Sequence, residues 1–157
     1  MICEFKINSG ETVRVTNLSV PNYKNEWKKF ISDLDIENND DIINFVSGDF
    51  NCIINKTLDR KPIPTRDDIG KIELETFLQR ADLIDVWRKR NPNIKQYTFS
   101  RGNSHSRIDY LFVNNTFAYR FHNAKIVYFP FSDHDGVTLQ LKLNQADRCP
   151  RIWKIEL

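Results

Sequence analysis

Hydrophobic and polar positions alternate from the first residues. Ile2, Glu4 and Lys6 fall on one side and Cys3, Phe5 and Ile7 on the other. Asn8-Ser9-Gly10 turns into Thr12–Val20, and the two runs predict a β-hairpin. Pro21-Asn22 closes the second strand and opens a helix over 24–37, with Trp27, Phe30, Ile31 and Leu34 at helical spacing. Asn38-Asn39-Asp40-Asp41 breaks it. Ile42–Val46 is then a short apolar run bounded by turn residues, the pattern of a buried strand. Pro62 and Pro64 mark a loop, and Asp67-Asp68 opens a second helix, 69–80, with Ile69, Ile72, Leu74, Phe77 and Leu78 on its apolar face. After Leu83–Trp87 the pattern returns to strands at Gln96–Ser100, Ile108–Val113, Ala124–Phe129 and Gly136–Leu143. Strands and helices intermix and several strand pairs are separated by short gaps, so the fold class is α/β, or α+β with a mixed sheet.

Composition narrows this only a little. The 157 residues, 40% hydrophobic and 28% charged, are one domain's worth of ordinary globular chain. No apolar run approaches the ~18–20 residues that span a bilayer, so no membrane partner is expected. MICEFKINSG mixes acid and base with its apolar residues and has no small-residue cleavage site; it is not a signal peptide, and an intracellular place, nucleus or cytoplasm, is expected. Cys3, Cys52 and Cys149 are an odd number, far apart, with no C-x-x-C pair, which fits unpaired thiols and no zinc framework. Net charge is +2. Residues 1–50 carry 5 basic and 9 acidic side chains and residues 51–157 carry 18 and 12, so the later part offers a modestly positive face to an anionic substrate, or only a solvated mixed surface.

Polar residues at strand ends hold the candidate chemistry. Gly48-Asp49-Phe50-Asn51 follows the buried strand directly. A carboxylate and an amide two residues apart at a strand's C-terminal end point into a crevice, where open α/β sheets bind ligands. Asp49 then orients a water or metal and Asn51 donates to a phosphate oxygen; alternatively the pair only makes an Asx turn. Asp109, in Arg107-Ile108-Asp109-Tyr110, sits in an otherwise apolar strand and calls for a partner. Ser132-Asp133-His134-Asp135 puts two carboxylates around a histidine, a grouping that suits a divalent-metal phosphoesterase. His105 and His122 lack such neighbours and read as surface or packing residues.

In this order, G-D-F-N, R-I-D-Y and S-D-H resemble the endonuclease/exonuclease/phosphatase superfamily of metal-dependent phosphoesterases. Within it the resemblance is to the apurinic-type endonuclease domain of LINE-type (non-LTR) retrotransposon polyproteins. Asn17–Asn22 is similar to the family's "N-x-Y-x-P-N" strand end, and Leu83–Arg88 with Asn91-Pro92 and Tyr97–Ser100 to its "L-x-D-x-W-R…P…Y-T-F" stretch. Arg148–Lys154 resembles the segment that leaves such a domain toward a reverse transcriptase, which divides the chain into an endonuclease-like domain, 1–143, and a tail, 144–157.

The resemblance implies metal-dependent hydrolysis of DNA phosphodiesters. The position matching Asp133 belongs to the Mg²⁺ or Mn²⁺ site, and His134 contacts the scissile phosphate. Asp109 pairs with that histidine, while Asp49 and Asn51 position the attacking water and the phosphoryl group. Tyr97, Arg101 and Arg107, on a hairpin, meet the DNA backbone. Two departures weaken the expected activity. The family's N-terminal portion, with its metal-binding glutamate, has no counterpart in the chain, which matches the C-terminal half of a four-layer sandwich; and Ser19 stands where the family has an active-site tyrosine. A non-catalytic binding or assembly module is the second reading, and a small-molecule phosphatase or phosphodiesterase a more distant third. With half a sandwich, one face of a sheet of about six strands is expected to lie uncovered, which calls for a homodimer or for a partner that supplies the missing half.

Overall fold

The computed structural model describes residues 1–7, 10–37, 39, 41–142 and 152–156. The opening alternation does form a hairpin, β1 (Ile2–Lys6) paired antiparallel with β2 (Thr12–Ser19). Helix α1 covers Lys24–Asp33, shorter than expected because Leu34 already has extended backbone. The buried run becomes β3 (Ile42–Asp49), parallel to β2, with Ser19 opposite Asp49. A two-residue strand, β4 (Arg60–Lys61), precedes α2 (Lys71–Arg80). Next come β5 (Leu83–Asp85) and the short helix α3 (Val86–Arg90), which starts where the Asp85 side chain caps the N–H of Arg88. The hairpin β6 (Phe99–Arg101) and β7 (Ser104–Ser106) leads into β8 (Asp109–Asn114). A 3-10 turn, Asn115–Arg120, connects to β9 (Phe121–Val127), and β10 (Gly136–Lys142) and β11 (Ile152–Glu156) follow.

These strands make three sheets rather than one sheet of six. The main sheet has the order β1-β2-β3-β8-β5, the second β11-β10-β9 and the third β4-β7-β6. Alternation in β3 and β8 sends side chains to two separate cores. Val46, Tyr110 and Phe112 pack with Trp27 and Ile31 of α1 and Leu74 and Phe77 of α2. Ile43, Phe45, Leu111 and Val113 pack instead against Phe121, Ala124, Ile126, Val137, Leu139 and Leu141 of β9 and β10.

That second core corrects the expectation of an uncovered sheet. The face that called for a homodimer, or for a partner in its place, is closed within the chain by β9 and β10, which form their own sheet. β10 alternates buried and half-buried residues, and the outward side chains include Lys125, Thr138, Gln140 and Lys142, a polar face. Of the tail, Arg148, Cys149, Pro150 and Arg151 lie outside the described residues, while Ile152–Glu156 pairs antiparallel with β10. Among the described residues no helix is long and apolar enough to cross a membrane.

Candidate active site

The C-terminal ends of β2 and β3 and the start of β8 meet at one end of the main sheet. The parallel register of β2 and β3 and the antiparallel register of β3 and β8 place Ser19, Asp49 and Asp109 in one row. Gly48 makes this possible: its φ is +129°, and a Cβ there would lie 1.8 Å from the carbonyl oxygen of Leu18, so only glycine lets β2 run this close. Asn51 takes a left-handed φ of 47°, which Asn tolerates better than most residues. Its N–H donates to Asp49 Oδ1 at 2.8 Å, and its Nδ2 donates to the Val20 carbonyl at 2.9 Å. The Asx turn, one of the two alternatives in the sequence, is therefore present, and it fixes the Asp49 carboxylate beside the end of β3.

The loop before β10 brings in the histidine. His134 Nδ1 lies 2.9 Å from Asp109 Oδ2 and 3.1 Å from Oδ1, which makes Asp109 the partner its apolar strand called for. The Phe99 and His134 ring centroids lie 4.8 Å apart. Ligand atoms of Asp49, Asp109 and His134 all lie within 4.8 Å of one another. Burial raises the pKa of Asp49, with the Asn51 N–H and His134 opposing it. Burial likewise raises that of Asp109, against hydrogen bonds from Thr98 and His134. For His134, burial alone would lower the pKa, but the bond to Asp109 and the charges of Asp109, Asp49 and Asp133 outweigh it, and the net shift is upward.

Asp133, the expected metal residue, is exposed and stands outside this cluster; its carbonyl accepts from the Ser100 N–H at 3.2 Å. Of the residues expected to meet DNA, Arg101 is exposed and Tyr97 is half-buried, stacked on His105 with centroids 5.6 Å apart. Arg107 is a correction. It is 2% exposed, its Nε and Nη2 donate to Asp59 at 2.8 and 3.1 Å, and its Nη1 donates to Asp85 at 2.6 Å. The guanidinium also lies over the rings of Trp87 and Tyr110. Burial opposes this charge, but Asp85 and Asp59 outweigh it and hold the group ionised. Arg107 therefore ties the hairpin to the fold and presents nothing to a ligand.

Two openings flank the cluster. A cavity of about 690 Å³ between the main and second sheets is bounded by Asn17, Ser19, Asp49, Asp109, Tyr128 and His134. A smaller, polar cleft of about 430 Å³ holds Asn22, Asn51, Arg60 and Arg101 beside Asp49 and His134. Sequence reasoning had not singled out Arg60, which carries no motif, or Thr98, which the Y-T-F resemblance contains without a role.

Asp49 and Asp109 are half-buried carboxylates whose charge burial disfavours, and no lysine or arginine pairs with either among the described residues. An oxygen-seeking cation fits such a pair. His134 Nδ1 is already committed to Asp109, so the cluster offers a cation few protein ligands.

The chain has the fold of the endonuclease/exonuclease/phosphatase structures. Solved structures that share it include an AP endonuclease from Archaeoglobus fulgidus (TM-score 0.68, 18% identity, covering 90% of this chain and 65% of that one). They also include the endonuclease domain of TRAS1, a telomere-specific non-LTR retrotransposon (0.58, 17%, 92% and 64%), and a 3'-5' exonuclease from Neisseria meningitidis (0.64, 20%, 89% and 64%). In sequence the chain is 30% identical over 146 residues to the transposon TX1 uncharacterized 149 kDa protein of Xenopus laevis, covering 86% of this chain and 11% of that protein. No protein-family model matches the chain. The chain thus spans about a tenth of its curated relative and less than two thirds of these solved structures. The resemblance read from the three motifs is borne out.

Proposed function

We propose that this chain is a metal-assisted phosphodiesterase domain that acts on DNA as part of a retroelement-type protein. The observation that carries the reading is the Asp109–His134 pair set beside the Asp49 carboxylate, which no lysine or arginine pairs with among the described residues, at the mouth of a polar cleft with two arginines. Phosphodiester hydrolysis needs little covalent work from a protein: an aligned water, a fixed phosphate and neutralised charge.

In this reading Asp109 holds His134 through Nδ1, which leaves Nε2 to contact the scissile phosphate. Asp49, held by the Asn51 N–H and given a raised proton affinity by burial, orients the attacking water and accepts its proton. The Asn51 side chain lines the polar cleft beside Asp49, where its amide would meet a phosphoryl oxygen. Arg101 and Arg60 line the path of the flanking backbone, where they contribute charge rather than base readout. A bound Mg²⁺ or Mn²⁺ would supply neutralisation of the phosphoryl charge. Asp49 and Asp109 are the residues that would hold it, with Asp133 added by resemblance. So few ligands make weak binding the expectation, because Mg²⁺ wants six. Ser19 brings no aromatic hydroxyl to the site, which favours slow turnover and keeps a binding-only role as the second reading.

Hydrolysis of bis(4-nitrophenyl) phosphate with Mn²⁺ tests this at the level of the bond. The reading expects a slow rate that EDTA abolishes and that falls by ~10²–10³ in His134→Ala. An equal rate in His134→Ala would remove the site from the chemistry.

A further inference from the structure

The loop between β9 and β10 carries the longest exposed apolar run among the described residues. Val127, Tyr128, Phe129, Pro130 and Phe131 follow one another, and all five are exposed. Phe131 is 90% exposed, Tyr128 73% and Phe129 54%. Other exposed hydrophobic side chains, such as Ile94 and Tyr119, stand singly, as on any protein surface. A continuous exposed run is costly unless it binds something.

This run is held in place. Val127 pairs with Gly136 at the end of the β9–β10 ladder. The Phe129 N–H donates to Asp135 Oδ1 at 3.1 Å, and its carbonyl accepts from the Ser132 N–H at 3.4 Å. Pro130 restricts the backbone between the two phenylalanines. Their rings meet edge to face with centroids 6.1 Å apart. A preset loop loses little freedom when it binds.

Placement and charge say what it would bind. Tyr128 and Phe129 bound the same cavity as Asp49, Asp109 and His134, while Arg60 and Arg101 line the second opening beside that cluster. Between residues 126 and 136 there is no lysine or arginine, and the two carboxylates are Asp133 and Asp135. Carboxylates beside the rings disfavour phosphates. A strand crossing the site therefore sets its phosphates toward the arginines and its bases toward the rings. A base paired within a duplex shows only its edges, so stacking on a side chain needs a base that has left the helix.

We infer that Tyr128, Phe129 and Phe131 form a platform on which an unpaired base beside the scissile phosphate stacks, so that the site takes single-stranded or locally opened DNA in preference to intact duplex. The inference rests on the function proposed above for the presence of DNA at the site.

The experiment measures fluorescence anisotropy of a labelled oligothymidylate of about 12 nucleotides, and of its duplex with oligoadenylate, in EDTA over a salt series. The wild type is compared with Phe129→Ala/Phe131→Ala and with Phe129→Leu/Phe131→Leu, which stays apolar but lacks the rings. The wild type is expected to bind the single strand more tightly than the duplex. Both double variants should raise Kd for the single strand by ~10-fold or more. The slope of log Kd against log salt should stay unchanged, because no charge is removed. Wild-type affinity in either double variant overturns the inference, and so does a wild type that prefers the duplex. A wild-type dimer that both variants dissociate, with DNA affinity unchanged, would assign the run to a second copy of the chain instead. If the single strand binds through the rings but bis(4-nitrophenyl) phosphate is not hydrolysed with Mn²⁺, the functional reading fails and the platform stands. Hydrolysis with DNA affinity indifferent to the rings is the reverse result.

Discussion

Replacing Arg107 by alanine separates its buried place from the DNA-facing role its hairpin position implied. The substitution removes three charge-assisted hydrogen bonds, two to Asp59 and one to Asp85. Asp59, whose side chain is fully buried, keeps its bonds from Arg88 and the Asn55 N–H but loses the cation that neutralised most of its charge. Breaking one partner out of a buried pair costs about 3–5 kcal/mol, because the remaining charge stays desolvated. Loss of the guanidinium over Tyr110 and Trp87 adds about 1 kcal/mol or more. The sum is of the order of 4–6 kcal/mol, a large part of the ~5–15 kcal/mol that holds a domain folded. Urea unfolding followed by tryptophan fluorescence reads it, since Trp87 lies in the network. Exposed Arg101→Ala is the control, expected within about 0.5 kcal/mol of wild type while weakening DNA binding and its salt dependence. Arg107→Ala with near wild-type stability and a specific loss of DNA affinity would refute the reasoning. The double variant Asp59→Asn/Arg107→Met should recover part of the loss, as position 59 then no longer carries a buried charge without its main partner.

Three further outcomes follow from particular residues. Gly48→Ala should fail to fold or lose several kcal/mol in urea unfolding, because its Cβ would overlap the Leu18 carbonyl at 1.8 Å. Cys52 is buried with its thiol pKa pushed up to about 12, mainly by burial, whereas Cys3 is exposed; iodoacetamide at pH 8 with peptide mapping should label Cys3 in the native protein and Cys52 only after unfolding. Burial raises the pKa of Asp49, so the folded chain holds that proton more tightly than the unfolded one, and stability falls as pH rises through this interval. Asp49→Asn cannot ionise, and a thermal scan at pH 7 should show it more stable than the wild type, with the difference shrinking toward acid pH; an unchanged or lower midpoint contradicts the shift.

The parts of the fold legible in the sequence were those with a local period. The alternation over Ile2–Ile7 and Thr12–Val20 is the β1–β2 hairpin, and Ile42–Val46 is buried β3. The G-D-F-N, R-I-D-Y and S-D-H motifs pointed to Asp49, Asp109 and His134 through their resemblance to a known family, and the fold does bring the three together. What escaped has no period. Arg107 looks like any surface arginine until Asp59, 48 residues earlier, is known to lie under it. The division of the strands into three sheets depends on β9 and β10 folding back over Ile43 and Phe45, a contact between segments about 80 residues apart. Thr98, just before β6, stood in the Y-T-F stretch without a role, since its backbone partners Asp109 and Asp135 are remote in sequence. Asp133 stands outside the Asp49–Asp109–His134 cluster because neighbouring residues in a turn point different ways: His134 faces Asp109, and its neighbour is exposed.

Single-turnover cleavage of an end-labelled DNA duplex, with Mn²⁺ and with EDTA, tests the central claim most directly when wild type is run beside Asp49→Ala and His134→Ala. Metal-dependent scission by the wild type, slow but measurable and lost by ~10²-fold or more in each variant, is the predicted result. Scission that survives both substitutions, or a wild type that binds the duplex and never cuts it with either Mg²⁺ or Mn²⁺, would contradict a phosphodiesterase site built on Asp49, Asp109 and His134.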